Sequence, residues 1–181
     1  MAETIFMEKT GNLRREKDKL EKKLEVTIKI EGKKVTIEGE ELKEYEAMIV
    51  LEAIKFGFSV STALLAANEG MVFRVIPIKH FTRRKDMEEV RGRIIGTEGK
   101  TKRTIEQVSG CSLVIQNNHV GIIGPAESIE EATTAITNLI RGTKQSNIYR
   151  FLEKMNAEKK IKPDLGLKDA PADEDESKDE E

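Results

Sequence analysis

The sequence predicts an α+β fold built from two similar units, each a three-stranded sheet with helices packed on one face. Three observations predict it. Residues 71–155 read in the order strand, helix, loop, helix, strand, strand, helix. A helix, a hairpin and a helix already occur in the N-terminal third with different residues, the mark of an internal duplication. Gly32 and the pair Asn117-Asn118 stand between alternating runs, where a hairpin turns.

The first unit occupies residues 1–57. Residues 4–8 are a short strand, and residues 12–24 a helix with Leu13, Leu20 and Leu24 inward. Residues 25–30 alternate as a half-buried strand does, Gly32 turns the chain, and residues 33–38 return. The closing helix, residues 40–56, uses Leu42, Tyr45, Met48, Ile49, Leu51 and Ile54 on its buried side. Residues 58–70 bridge to the second unit through a short apolar helix with Ser59 placed to cap it.

The second unit occupies residues 71–155. Residues 71–78 (MVFRVIPI) are a strand, and residues 83–95 an amphipathic helix with Met87, Val90, Ile94 and Ile95 inward. A turn follows, then a helix from Lys100 with Ile105 and Val108 on one stripe. Residues 111–116 (CSLVIQ) and 119–123 (HVGII) form a hairpin about Asn117 and Asn118, which tolerate the left-handed region. Pro125 opens a third helix that buries Ile129, Ala132, Ala135, Ile136, Leu139 and Ile140 and ends at Gly142. Residues 148–155 (IYRFLEKM) are one more amphipathic piece, suited to docking on the sheet or on a partner. Residues 156–181 form a tail predicted to be disordered, since residues 163–181 carry 2 basic and 9 acidic side chains and no aromatic ring.

Residues 91–105 carry the chemistry. Gly96 and Gly99 bracket a turn in which positive φ is free and another backbone can come close. The turn opens a helix, so unpaired N–H groups and the positive dipole end point at whatever lies in front, which favours phosphate. Lys100, Lys102 and Arg103 add charge beside it, and Arg91 and Arg93 stand on the other side. Gly96, Thr97 and Gly99 let the backbone meet phosphates; Ile94, Ile95 and Ile105 are candidates for an apolar floor under bases, or for plain core. Val114 or Ile115, whichever faces the groove, completes the site, and Arg83, Arg84 and Lys85 extend the basic track. With the β-α-α-β-β-α order around it, this Gly-x-x-Gly turn resembles the loop of a type I KH domain, which implies binding of single-stranded RNA. The first unit is then a degenerate KH-like copy: residues 11–14 (GNLR) stand where the loop is expected, with Arg14 in place of its second glycine.

Other readings of the chain fail on the residues. Gly99-Lys100-Thr101 imitates the end of a phosphate-binding P-loop, but Ile94 occupies the required first glycine, and a helix precedes the turn. There is one cysteine, Cys111, and two histidines, His80 and His119, without ligand-spaced companions. No nucleophile–base set is visible, so neither an enzyme nor a cofactor or metal site is expected. No apolar run reaches membrane-spanning length and no leader is visible, so no membrane is expected and the cytoplasm is the expected location. The overall net charge of −2 hides a basic second unit, with 14 basic and 9 acidic residues over 71–155.

Together, residues 91–106 (RGRIIGTEGKTKRTIE), Val114-Ile115, residues 119–124 (HVGIIG), 132–142 (ATTAITNLIRG) and 149–154 (YRFLEK) resemble the archaeal relatives of the eukaryotic "partner of Nob one", a tandem-KH family of small-subunit ribosome-assembly factors. The lack of a long N-terminal extension suits an archaeal source. The resemblance implies binding to small-subunit ribosomal RNA near its 3′ end during pre-rRNA processing. It also implies contact with the endonuclease that trims that end, with the rRNA adenine dimethylase, and with the alpha subunit of initiation factor two. Glu98 departs from the expected neutral or basic residue and weakens phosphate attraction. The degenerate first copy, Glu98 and the acidic tail also suit a second role, a protein–protein scaffold that recruits maturation enzymes and has little RNA affinity of its own.

Overall fold

The computed structural model describes residues 3–161, with side chains to residue 159. The expected acidic tail lies outside the described residues from 162 onward. The first unit runs β1 (Glu3–Phe6), α1 (Gly11–Arg15), α2 (Lys17–Leu24), β2 (Thr27–Glu31), β3 (Lys34–Glu38) and α3 (Glu41–Phe56). A bridge follows: α4 (Val60–Ala63), capped by Ser59 accepting from the Thr62 N–H, then a 3-10 turn over Leu64–Ala67. The second unit runs β4 (Met71–Pro77), α5 (Met87–Ile95), α6 (Lys100–Ser109), β5 (Ser112–Gln116), β6 (His119–Pro125) and α7 (Ala126–Arg141). One more helix, α8 (Gln145–Ile161), closes the described chain.

Each unit is a three-stranded antiparallel sheet, ordered β1-β3-β2 and β4-β6-β5. Both are therefore β-α-α-β-β-α, as the sequence predicts. From residue 17 on, the two copies keep one register: Gly57 and Gly142, which end α3 and α7, stand 85 positions apart (142 less 57). Leu20 and Ile105 are both buried at that offset. The left-handed residues Glu25 and Gly110, which end α2 and α6, stand at the same offset. Gly39 lies against Val26 and Gly124 against Cys111 in the same way. A Cβ on Gly39 would come within 3.0 Å of Val26 Cγ1, and one on Gly124 would run into the Cys111 sulfur. The thiol is a packing group, and burial pushes its pKa up.

The central strand β6 is buried on both faces. Val120 and Ile122 face the second unit's helices, whereas Ile123 joins the first unit's core. Between them Gly121 leaves room for Phe56 and Phe58; with Phe73 these rings pack edge to face or tilted, 5.9–6.2 Å apart. The end of α3 and the bridge thus seal the back of the second sheet. Burying these rings is worth roughly 2–3 kcal/mol each before entropy is counted.

Several sequence expectations are corrected. The first helix is two pieces, broken at Glu16, because α1 and α2 are the counterparts of α5 and α6. Residues 11–14 therefore lie within α1 and are not a loop. The buried stripe of α3 is Ala47, Val50, Leu51, Ala53 and Ile54; Leu42 and Tyr45 are exposed, since the small alanines let the helix approach its sheet on another side. Helix α5 starts at Met87 rather than residue 83, because the Asp86 carboxylate accepts from the Glu88 and Glu89 N–H groups at 3.0 and 3.1 Å. The final amphipathic piece is a helix of 17 residues that continues past residue 155. Its Ile148 and Leu152 are buried in the second core, and it packs on α6 and α7, not on the sheet.

Gly121→Ala should destabilise the whole chain by about 1–3 kcal/mol, because the added methyl lies 2.5 Å from Phe56 Cε1. Thermal unfolding of the variant checks this; an unchanged midpoint would contradict the shared core.

Candidate nucleic-acid interface

The turn between α5 and α6 is open. Thr97 and Glu98 are exposed, and Gly96 and Gly99 are half-exposed. Gly96 has φ +74°, Glu98 +53° and Gly99 +75°, so three of the four residues are in left-handed or related backbone. The two glycines serve different ends. A Cβ on Gly96 would strike the Thr101 side chain and come within 2.8 Å of the Thr101 backbone nitrogen. A Cβ on Gly99 would meet nothing closer than the Arg103 guanidinium at 3.9 Å. Gly96 thus lets the turn close on its own helix, whereas Gly99 keeps the outer face bare beside an arginine. No side chain caps the start of α6, so its N–H groups face outward.

The predicted site residues separate into groups. Among the described residues Lys100 and Arg103 are exposed and take no ion-pair partner, so their charge is open to a ligand. Lys102 stands 3.4 Å from Glu106, whose carboxylate also accepts the Leu113 N–H at 2.8 Å. The first copy repeats this device with Lys17, Glu21 and the Ile28 N–H, which marks it as part of the fold. Arg91 reaches across from α5 to the β5–β6 turn and donates to the Asn117 carbonyl at 3.0 Å. It flanks the groove. Arg93, two residues on and so on the opposite side of α5, faces Gly142 and the Thr143 carbonyl. It is not beside the loop's open face, and Arg84 is tied to Glu89 at 2.5 Å.

The expected apolar floor is also corrected. Ile94 and Ile105 are fully buried core residues; Ile95, expected inward, is 37% exposed beside the turn. Strand alternation decides between Val114 and Ile115. Ile115 is half-buried with the second core on the helix side, whereas Val114 packs against the first unit, 3.5 Å from where a Gly57 Cβ would be. The groove is therefore bounded by Arg91, Ile95, the turn and Lys100 on one side, and by the free edge of β5 at Ile115 on the other, while Gln116 turns with Val114 toward Gly57.

The first copy has no such turn. With Leu13 as the buried counterpart of Ile94, Arg14 and Arg15 correspond to Ile95 and Lys100, and the four residues 96–99 are missing. The copy lost its loop whole; it did not lose one glycine.

Sequence reading missed how α8 holds the loop. Gln145 Nε2 donates to the Arg93 carbonyl at 3.2 Å, at the end of α5. Tyr149 donates its hydroxyl to Thr101 Oγ1 at 3.2 Å, at the start of α6. Two successive turns of α8 thus fasten both flanks of the loop, with Thr101 1% exposed between them. The only signal in the sequence is the amphipathic run containing Tyr149.

Two outcomes follow from this geometry. Gly96→Ala should cost about 2–3 kcal/mol, from overpacking against backbone, and Gly99→Ala about 1–2 kcal/mol, from φ alone; chemical denaturation of both measures the difference. Tyr149→Phe should speed amide hydrogen exchange over residues 96–101 roughly fivefold, the worth of one net hydrogen bond. Exchange unchanged there would remove the fastening role.

Residues 72–157 match a family model described as "Eukaryotic type KH-domain (KH-domain type I)". A KH domain-containing protein of Methanocaldococcus jannaschii is 32% identical over 157 residues, which covers 83% of this chain and 68% of that one. The pre-rRNA-processing protein pno1 of Emericella nidulans is 26% identical over 147 residues, covering 76% of this chain and 57% of its own. Among solved structures, the a/eIF2alpha-aDim2p-rRNA complex from Pyrococcus horikoshii OT3 contains a chain with a TM-score of 0.77 and 30% identity, covering 87% of this chain and 95% of that one.

Proposed function

Because the chain belongs to the PNO1-like family of KH-domain ribosome-assembly proteins, which has archaeal members, we propose that it binds single-stranded ribosomal RNA during maturation of the small subunit, near the 3′ end of that RNA. The observation that carries this reading is the open Gly-x-x-Gly turn. Bare N–H groups at the start of α6, with Lys100 and Arg103 unpaired among the described residues, face a groove whose other wall is a free strand edge. Phosphates sit on the turn and bases lie across Ile95 toward Ile115, where the β5 backbone can read their edges. Glu98 opposes the field but is one carboxylate against several cations. The site holds a strand and has no group placed to cleave one, so the reading is of a binding protein rather than an enzyme.

The partners proposed are the alpha subunit of initiation factor two, whose archaeal counterpart shares a complex with the similar Pyrococcus chain, the 3′-end endonuclease and the rRNA adenine dimethylase. A cytoplasmic site of action goes with this reading; among the described residues no helix is long and apolar enough to cross a membrane. A scaffold role is favoured by one observation, the first copy's missing loop, and it is compatible with RNA binding by the second copy.

The test is titration of a labelled RNA of the small-subunit 3′-end sequence. Affinity should fall as salt rises, with a log–log slope of about −2 if three phosphates are neutralised. Thr97→Asp with Gly99→Asp should weaken binding at least tenfold while circular dichroism stays native. Equal affinity of wild type and variant would reject the turn as the grip, and no RNA binding by the wild type would leave the scaffold.

A further inference from the structure

The outer side of α3 departs from the repeat in one consistent direction. Leu42, Tyr45, Met48 and Ile49 stand 85 positions before Glu127, Glu130, Thr133 and Thr134 of α7. The α7 residues are what a solvated helix side needs. Glu130 pairs with Arg74 at 2.7 Å, and the Thr133 and Thr134 hydroxyls donate to carbonyls one turn earlier. At the same places in the same fold, the first copy has four apolar side chains. Leu42 and Tyr45 are 63% and 61% exposed, and Met48 and Ile49 are half-buried at the edge of the first core. The second copy shows that the fold itself accepts polar groups here, so folding does not explain the exposed pair Leu42 and Tyr45.

The surroundings say what covers them. Leu42 and Tyr45 share an open depression with Glu3, Glu40, Glu41 and Glu44. Lys43, which could neutralise this rim, is turned onto Glu46 and Glu25 at 3.2 and 3.7 Å. The exposed carboxylates of Glu3, Glu40 and Glu41 repel RNA phosphate, whereas Glu44 is buried and accepts the Gly39 N–H. The exposed carboxylates complement a polypeptide that offers leucine or aromatic anchors flanked by lysine or arginine.

We propose that this side of α3 is a docking surface for a basic, apolar-anchored segment of another protein. The anchors lie on Leu42, Tyr45, Met48 and Ile49, spaced along one side of the helix, and the cations lie over Glu3, Glu40 and Glu41. RNA and protein then bind to different copies of the same fold, and the missing loop of the first copy and its apolar helix side are two parts of one specialisation.

The experiment places benzoylphenylalanine at position 45 of the full chain in its native cells, with a control probe at position 95 beside the proposed RNA groove. The expected result is a crosslink from position 45 to another protein, at a sequenced peptide rich in lysine or arginine around an apolar anchor. The purified protein so identified should bind Leu42→Glu/Tyr45→Glu, which restores the second copy's carboxylates, at least tenfold more weakly than wild type. It should bind Glu40→Lys/Glu41→Lys more weakly at low salt. Both variants should keep their RNA affinity within about twofold. A position-45 crosslink to RNA, to a second copy of this chain or to this chain's own residues 162–181 would overturn the proposal. So would equal partner affinity of the variants, or no crosslink at position 45. Failure of the control at position 95 would count against the RNA reading alone.

Discussion

Most of the architecture depends on one strand with no side chain at its middle. β6 lies between two hydrophobic layers, and Gly121 is where Phe56 and Phe58 come closest to its backbone. Because of that approach the second unit's sheet is covered on its back by the end of α3 and the bridge, and on its front by its own helices. A sheet covered on both faces has only edges left to offer. The free edge of β5 runs beside the Gly-x-x-Gly turn, where the proposed function places the RNA strand.

The two copies illustrate how a duplicated fold divides labour without changing its frame. From α2 to the end of α3 the register is constant at 85 residues, and the same devices recur: a glutamate that ties the second helix to the edge strand, a left-handed residue after it, and a glycine at the end of the third strand against the residue that precedes the second. The differences lie where the frame tolerates them. The first copy lacks the turn, which is a surface element, and carries exposed Leu42 and Tyr45 on the outer side of a helix.

The grip itself is held from outside the six-element unit. α8 adds nothing to either sheet, yet its Gln145 and Tyr149 bond to the end of α5 and the start of α6. Between its two glycines Glu98 sits at φ +53°, a conformation that costs a residue with a Cβ free energy and persists only where the surroundings hold it. Tight closure at Gly96, the buried Thr101 hydroxyl and Tyr149 together hold it.

The sequence by itself determined the element order, the duplication, the position of the turn and which face of α7 is buried. These follow from hydrophobic period, glycine placement and charge, all local properties. It also marked Ser59 as a cap, and Asp-x-Glu-Glu at residues 86–89 carries the pattern of the Asp86 cap. What only the tertiary structure decided is the direction in which side chains point once several elements compete for them. Arg91 and Arg93 look alike in a string and lie on opposite sides of α5; Ile94 is core and its neighbour Ile95 is not; Val114 belongs to the first unit and Ile115 to the groove. The apolar residues of α3 divided the same way, since a helix with hydrophobic groups on three sides does not say which side meets the sheet. That choice was made by the small residues Ala47 and Ala53, which allow closer packing than Leu42 or Tyr45, and packing distance is a property of two elements together.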